Sequence, residues 1–493
     1  LAKKFHFWIN DISPKAAPYT HKLNLKLINS PFTNDLDFEK YKIYLRGVRQ
    51  NIKLFREENI PLFTKMEKKQ QEYGAIFAKM SVEINGQDMT LQKATALLKD
   101  TDRKKRKEVY DKISERTLKD EVLLDNLLDE LIALRQKIAK NAGFENYRDY
   151  KFAAMGRFDY NPEDCFNFHS AIEKEIVPII NSFEKERSKK LKYDSYKPWD
   201  TSVDESGKSP LKPFKDGDEL LKLTIECFNK LNPYFGDCIS VMKEMNHLDL
   251  DSKKGKAPGG FMYPLYEIGV PFIYMNAVGS QRDVVTMIHE GGHAVHSFLS
   301  RNLELTEFKS TPSEVAELAS MSMELISMDY WNVFYDSEEE LKRSKLEQLK
   351  KALGTLPWVA SIDKFQHWIY TTSHTAKERK DKWIEIYNKL GNNEVDWKGY
   401  ENVLANLWQK QLHIYEVPFY YIEYGMAQLG AIAIWRSYKL LGDEAIDNYM
   451  SALRLGYTKT ISEIYKQAGI EFNFSDSYVK ELAEFINAEL KKI

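Results

Sequence analysis

The feature that most constrains the fold is the stretch MIHEGGHAVH at residues 287–296. Apolar spacing predicts a helix from Ser280 to about residue 299, yet two adjacent glycines occupy its middle. Each mid-helix glycine costs about 1 kcal/mol relative to alanine, so close packing or chemistry must compensate for the loss. At about 100° per residue, His289 and His293 point the same way. The helix therefore presents two imidazoles on one face.

The sequence HEGGH has the HExxH spacing of a metal-binding helix. Two neutral imidazoles one turn apart can hold a zinc ion, and the adjacent Glu290 can reach a water held on that ion. Glu290 is therefore the candidate general base. The chain has ten histidines, so the pattern alone leaves open a helix whose buried histidines are only hydrogen-bonded.

The glycines and the helix start carry separate predictions. Gly292 lies beside His289, where a second helix must come close to bring a carboxylate to the metal. Gly291 lies on the buried back of the helix, where we expect a bulky neighbour. Ser280, with an acid three residues later, predicts a capping box.

A third ligand is predicted in residues 311–325, TPSEVAELASMSMEL. Thr311 is the expected N-cap, and Glu314 then has a structural role in the first turn. Glu317, one turn further on, is the candidate ligand. Glu324 is expected to orient the free N–H of a histidine. Apolar neighbours argue against the alternative that these acids are merely solvated.

His296 follows the second histidine of the motif by three residues and lies on the metal side of the helix. The metzincin pattern HExxHxxGxxH has glycine at this position, so His296 does not fit that ligand set. We expect a hydrogen-bonded neighbour of the site rather than a ligand.

Composition argues against several other classes of protein. Lys and Arg (71) nearly balance Asp and Glu (73), so the chain lacks the basic excess of a general nucleic-acid binder. Three widely spaced cysteines without a CxxC pair favour reduced thiols and a cytoplasmic location. The uncharged run at residues 424–435 is too short to span a membrane. The N-terminus lacks a signal-peptide pattern and an initiator Met, so we expect that an upstream segment is missing.

The remaining pattern predicts a mostly α fold with a few short strands. Asn85-Gly86 predicts a hairpin over residues 81–90, and further strands are expected within 247–276. Loops are predicted at 193–219 and 253–264. Helical periodicity covers residues 37–73, 102–142, 164–193, 217–231, 337–353 and 476–492.

These motifs resemble the thimet oligopeptidase and oligoendopeptidase F family of zinc peptidases. HEGGHAVH is similar to the family's HExGH form, and AELASMSMEL (316–325) resembles its segment carrying the third ligand. Residues 147–165, 365–370 and 419–431 also look similar, so the resemblance covers most of the chain from about residue 75. It implies a two-lobed helical body with a deep substrate channel and zinc at its base, a geometry that admits only short peptides.

The resemblance also implies a late histidine and tyrosines that contact the substrate carbonyl. The segment LHIYEVPFYYIEYG (412–425) supplies His413, Tyr421 and Tyr424 for these roles. Its His-to-Tyr spacing is one residue shorter than in thimet oligopeptidase, and the glycines of that loop are absent. Tyr415 and Tyr420 are therefore alternatives.

We thus expect a helical N-terminal region over residues 1–100 and a zinc peptidase domain over 101–493. The predicted function is that of a metalloendopeptidase that binds one Zn²⁺ and cleaves short unstructured peptides. We expect no nucleic-acid or membrane partner, and the sequence does not predict an oligomeric state. Residues 271–276 are expected to pair with the substrate backbone. The alternatives are a carboxypeptidase-like zinc exopeptidase and a non-catalytic, zinc-containing peptide-binding helical protein.

Overall fold

The computed structural model describes residues 2–253, 256 and 259–493, so the predicted loop at 253–264 lies partly outside the described residues. Most of the described chain is helical, as predicted. In chain order the helices are α1 (Ala2–Phe7), α2 (Ser13–Ile28), α3 (Phe38–Leu54), α4 (Ile60–Ala78), α5 (Leu91–Ala96), α6 (Arg103–Leu118), α7 (Glu121–Asn141), α8 (Tyr147–Ala154), α9 (Pro162–Ala171), α10 (Val177–Leu191), α11 (Gly217–Leu231), α12 (Pro233–Glu244), α13 (Gln281–Ser300), α14 (Thr306–Lys309), α15 (Ser313–Ile326), α16 (Glu338–Thr371), α17 (Ala376–Leu390), α18 (Glu401–Ala405), α19 (Leu412–Glu416), α20 (Ile422–Leu441), α21 (Asp443–Arg454), α22 (Ile461–Gln467) and α23 (Asp476–Lys492).

The predicted hairpin and the later strands are both present. Asn85 and Gly86 have φ of 53° and 74°, the left-handed values that a tight two-residue hairpin turn needs. They join two antiparallel strands in the register Ser81↔Thr90. The strands are β1 (Ser81–Ile84), β2 (Gln87–Thr90), β3 (Leu248–Asp251), β4 (Phe261–Tyr263) and β5 (Phe272–Ala277).

The second sheet corrects one expectation. Strand β5 lies between β3, which is parallel to it, and β4, which is antiparallel. Both edges of β5 are therefore hydrogen-bonded within the protein. The prediction that residues 271–276 pair with a substrate is wrong, because a peptide can add only to a free strand edge.

The chain divides into two compact units. Unit 1 consists of Leu1–Glu173, Val177–Ser209 and Pro357–Ile422. Unit 2 consists of Lys174–Ile176, Pro210–Leu356 and Glu423–Ile493.

The loop predicted at 193–219 is irregular over most of its length, but it does not lie wholly on the surface. Trp199 and Val203 are buried. Asp200 is fully buried and accepts hydrogen bonds from Arg103 at 2.7 Å and Arg106 at 2.8 Å. The Pro, Ser and Gly content of this segment predicted its irregular backbone correctly, but composition does not report which side chains are buried.

Helix α13 is the centre of unit 2. Helices α11, α12, α15 and α21 and strands β4 and β5 all pack against it. Its start is the predicted capping box, since the Ser280 hydroxyl and backbone N–H lie 2.8 and 2.9 Å from one carboxylate oxygen of Asp283. Val284, Ile288 and Val295 are fully buried on its back. The packing of unit 2 therefore fixes the direction in which its polar face points.

Candidate metal centre

The two histidines of α13 lie side by side, with ring centroids 4.9 Å apart and ring planes 88° apart. Both turn their Nε2 atoms toward Glu317 of α15. The Oε2 of Glu317 lies 3.3 Å from the Nε2 of His289 and 3.8 Å from the Nε2 of His293. One ligand atom from each of the three side chains lies within 4.8 Å of the other two. The structure thus brings the three predicted metal ligands together.

Gly292 permits this meeting of α13 and α15. A Cβ added at Gly292 would lie 2.7 Å from the Cα of Ser320 and 3.0 Å from the carbonyl oxygen of Ala319. Both are backbone atoms of α15, which cannot move aside as a flexible side chain can. The predicted close helix approach at this glycine is confirmed, and it accounts for a residue that weakens the isolated helix.

Gly291 packs against the aromatic ring of Phe228 on α11. A Cβ at this position would lie 2.8 Å from two ring carbons. The expected bulky neighbour is therefore present.

Glu324 hydrogen-bonds the imidazole of His289 from the side opposite Glu317. Its Oε1 lies 2.7 Å from the Nδ1 of His289, and its Oε2 accepts a hydrogen bond of 2.6 Å from the side-chain amide of Gln348. The hydroxyl of Ser320 donates to the Oε2 of Glu317 at 3.1 Å. These contacts fix both carboxylates and the orientation of one ring. Sequence analysis missed both residues that make these contacts. Gln348 lies far from the motif along the chain, whereas Ser320 is only three residues after Glu317, a spacing that could have drawn attention to it.

The charges of the site favour a cation between its donors. Burial tends to raise the pKa of Glu317 and of Glu324, but the hydrogen bonds to His289 outweigh it and keep both pKa values below normal. Burial also tends to lower the pKa of His289, whereas the same two carboxylates raise it well above normal. Burial lowers the pKa of His293 to about 4. The site thus places a protonated His289 between two ionised carboxylates, beside the neutral imidazole of His293. A divalent metal would replace the His289 proton in this donor set.

Glu290 is 6% exposed, on the same helix as the two histidines. Burial raises its pKa to about 7, with opposing contributions from the charge on His289 and from a hydrogen bond to the backbone of Met262 in β4. A carboxylate with a pKa near neutrality can both accept and release a proton.

His296 is buried beside the site but outside the group of three metal-binding side chains. Burial lowers its pKa to about 3, and a backbone hydrogen bond joins it to Leu453. Among the described residues its Nε2 has no hydrogen-bond partner.

Two expectations for the neighbouring helices need adjustment. Helix α15 begins at Ser313 with Pro312 as its N-cap, so the predicted Thr311 cap is wrong by one residue. Helix α16 runs to Thr371, well beyond the predicted end at 353, and includes Pro357. Gln348 belongs to this long helix, at a distance along the sequence that periodicity does not connect to the histidines.

The late histidine and the candidate tyrosines occupy both units. In unit 1, His413 lies with its Nδ1 2.6 Å from the amide nitrogen of Gln411, and its ring centroid is 4.7 Å from that of Tyr421 and 5.9 Å from that of Tyr420. Tyr424 is half-buried and belongs to α20 of unit 2.

Tyr415 is fully buried in unit 1, where it stacks on Tyr73 with ring centroids 4.4 Å apart. It therefore has a core position and is not a candidate for contact with a substrate. Tyr420 remains an alternative to Tyr421, because both lie against the His413 ring.

Two further predictions concern the whole chain. None of the three cysteines forms a disulfide, and all three are buried. Across the described ranges, no helix combines the length and the apolar character needed to cross a lipid bilayer.

Comparison with known proteins gives one family. The model of peptidase family M3 matches residues 96–484. An oligoendopeptidase F homolog from Borreliella burgdorferi is 26% identical over 483 residues, which cover 93% of this chain and 78% of the relative. Oligopeptidase PepF from Bacillus subtilis is 24% identical over 349 residues, which cover 68% of this chain and 50% of the relative.

Solved structures show the same fold. A structure of PZ peptidase A with an inhibitor has a TM-score of 0.93 and 27% identity, and the match covers 100% of this chain and 87% of that one. The predicted mostly helical peptidase fold and the predicted peptide hydrolase are thereby confirmed. Since the family model covers well over half of the sequence, the chain belongs to peptidase family M3.

Proposed function

We propose that the chain is a zinc-dependent endopeptidase that cleaves short peptides in the cytoplasm. The observation that carries the proposal is that ligand atoms of His289 and His293 on α13 and of Glu317 on α15 lie within 4.8 Å of one another. Helix α13 also carries the buried Glu290. The names of the relatives, an oligoendopeptidase F homolog and an oligopeptidase, support short peptides as the substrate class. Three cysteines without disulfides are consistent with a reducing compartment.

The donor set fits a catalytic rather than a structural zinc site. Two imidazoles and one carboxylate would hold the ion, and three protein ligands leave a position for chemistry. Structural zinc sites are usually closed by four protein ligands, often cysteines, and this group contains none. When bound, zinc supplies a Lewis acid that lowers the pKa of a water ligand and polarises a carbonyl.

Glu290 is the proposed general base and acid. Its carboxylate takes a proton from the attacking water and returns it to the nitrogen of the leaving amine. Because the side chain is 6% exposed, bulk water screens its charge little during this transfer. Glu324 holds the His289 ring in one orientation and does not itself touch the peptide.

His413 and a tyrosine, Tyr421 or Tyr424, are the proposed hydrogen-bond donors to the carbonyl oxygen as negative charge develops on it. The contact between the His413 and Tyr421 rings, 4.7 Å between centroids, supports a joint role for these two residues. Such donors act only as charge builds up in the transition state, so they raise kcat more than they lower KM.

The test uses an internally quenched peptide of about eight residues with both ends chemically blocked. Cleavage between internal residues, lost on chelation and restored by added zinc, is the expected result. Cleavage that persists after complete metal removal rejects the zinc mechanism. Hydrolysis of a free-ended peptide together with an intact blocked peptide would instead assign an exopeptidase, and no hydrolysis of either would leave a non-catalytic peptide-binding protein.

A further inference from the structure

A second cluster of metal-binding side chain types is buried in unit 1, outside the centre described above. Cys165 and His169 lie one turn apart on α9, and Asp363 and His367 lie one turn apart on α16. Ligand atoms of Cys165, Asp363 and His367 all lie within 4.8 Å of one another. None of the four side chains belonging to this cluster has a residue exposure above 3%. Two helices thus each contribute a pair of donors, at the spacing that places both on one face.

The carboxylate of Asp363 is at the middle of the cluster. Its Oδ2 lies 2.8 Å from the Nε2 of His169 and 3.2 Å from the Nε2 of His367. The second contact is not aligned as a hydrogen bond. Within the described part of the chain, the Asp363 Oδ1 and both ring nitrogens of His367 have no hydrogen-bond partner. Several fully buried donor atoms are therefore available to a ligand.

A buried carboxylate needs a compensating charge. Burial alone raises the pKa of Asp363, but the two histidines outweigh it and hold the pKa below its usual value, so the group stays ionised. Burial lowers the pKa of His169, which favours its neutral form. Among the described residues, the ion-pair partners of Asp363 are His169 and His367, and no lysine or arginine joins them. The imidazoles therefore supply what compensation this carboxylate has among the described residues, and a bound cation would add to it.

The side chains around His367 are aromatic, and the neighbouring lysine on its helix is paired elsewhere. The ring of His367 lies against Phe166, Phe419 and Phe152, with centroid distances of 4.8, 5.3 and 5.7 Å. Lys364, the nearest lysine along the helix, lies 3.7 Å from the carboxylate of Glu173 instead.

We infer that Cys165, Asp363 and His367 bind a second divalent transition-metal ion, Zn²⁺ in the cell, and that His169 orients the carboxylate of Asp363. A thiolate, an imidazole and a carboxylate form a donor set that favours zinc or cobalt over calcium or magnesium. On binding, the Cys165 thiol releases its proton to the solvent and its sulfur forms a bond to the metal. The hydrogen bond from His169 to the Asp363 carboxylate resembles the outer contacts that fix ligands in metal sites.

The ion would join α9 to α16 within unit 1. It would also lie next to Phe419, whose backbone N–H donates to the side chain of Gln366 at 2.8 Å and whose φ is 66°. The segment that follows Phe419 carries Tyr420 and Tyr421. The second ion would thus lie within unit 1, whereas the proposed catalytic zinc belongs to unit 2.

Co²⁺ distinguishes the proposed catalytic site from the second site. A Co²⁺–thiolate bond gives a strong near-ultraviolet charge-transfer band, and only the second site contains a cysteine. The metal-free full chain is titrated with Co²⁺. We expect about two ions per chain and a band that saturates with about one of them. Cys165→Ser should lose the band and about one equivalent of metal. His293→Ala should lose the other equivalent and keep the band.

Cys227→Ser and Cys238→Ser are the matched controls. Neither of these buried thiols belongs to a group of metal-binding side chains among the described residues, so both substitutions should leave the band unchanged. A wild-type chain without the band overturns the inference, as does a band that persists in the Cys165 variant. If Cys165→Ser does not fold, X-ray absorption of the zinc-loaded wild-type chain provides the test. Sulfur in the zinc coordination shell supports the inference, and a shell without sulfur overturns it. Peptide hydrolysis is measured separately, so failure here does not affect the proposed catalytic site.

Discussion

The Nδ1 of His289 lies 2.7 Å from the Oε1 of Glu324. The other oxygen of this carboxylate accepts a hydrogen bond from Gln348 at 2.6 Å. With Nδ1 hydrogen-bonded, the Nε2 of His289 faces Glu317 at 3.3 Å. A carboxylate in this position fixes the tautomer and the orientation of a metal-binding imidazole.

We expect Glu324→Gln to weaken zinc affinity about 10–100-fold, because the amide cannot hold the His289 N–H as strongly as the carboxylate does. Competition with a fluorescent zinc chelator measures the effect. Glu338→Gln, at a side chain that is 82% exposed on α16, is the control and should leave the affinity unchanged. Equal affinities for the two variants would show that Glu324 does not support a metal ligand.

Glu290→Gln separates binding of the metal from hydrolysis of the peptide. The variant keeps both histidines and Glu317, so its zinc content should equal that of the wild-type chain. Loss of the general base should reduce kcat about 10²–10⁴-fold. Elemental analysis and a peptide hydrolysis assay on one preparation measure both quantities. Hydrolysis near the wild-type rate, in a sample with full zinc content, would remove Glu290 from the mechanism.

Gly292→Ala tests the close packing of α13 on α15. The added Cβ would lie 2.7 Å from the Cα of Ser320, so the helices must separate, at a cost of about 1–3 kcal/mol in the free energy of unfolding. Zinc affinity should fall as well, because the histidines and Glu317 move apart.

Gly354→Ala is the matched control for that substitution. Gly354 lies within α16, and apart from the adjacent backbone of its own helix a Cβ there would meet no described atom within 4 Å. Alanine at this exposed position should stabilise the chain by about 1 kcal/mol through its helix propensity. Denaturant unfolding measures both variants. Similar effects of the two substitutions would show that α15 tolerates a side chain at position 292.

Sequence reasoning succeeded at several places where the signal is local, although the predicted Thr311 cap of α15 is one residue off. The Asn85-Gly86 hairpin and the Ser280 capping box each depend on residues only a few positions apart, and both are present. The close helix approach at Gly292 was also predicted correctly, because the 3.6-residue turn fixes which residues of one helix lie beside each other. These features reflect backbone geometry that the sequence specifies directly.

Features that depend on tertiary packing were predicted less well from the sequence. The central position of β5 follows from strand order, and no pattern within residues 271–276 reveals it. Two arginines nearly a hundred residues away along the chain stabilise the buried Asp200. The local sequence contains no sign of these partners, so it predicts an exposed loop. The cluster of Cys165, Asp363 and His367 joins two helices about two hundred residues apart, although their one-turn spacings could have drawn attention to it.

Tyr421→Phe tests the proposed donor to the carbonyl oxygen. Removal of one hydroxyl that bonds only the developing negative charge should reduce kcat about 10²–10³-fold with little change in KM. Tyr415→Phe is the control, because its hydroxyl is buried and has no hydrogen-bond partner among the described residues, so its loss should leave kcat unchanged. Tyr420→Phe and Tyr424→Phe complete the series. A large fall in kcat for either of these, with Tyr421→Phe close to wild type, would transfer the role to that tyrosine, and four unaffected variants would leave His413 as the remaining protein donor.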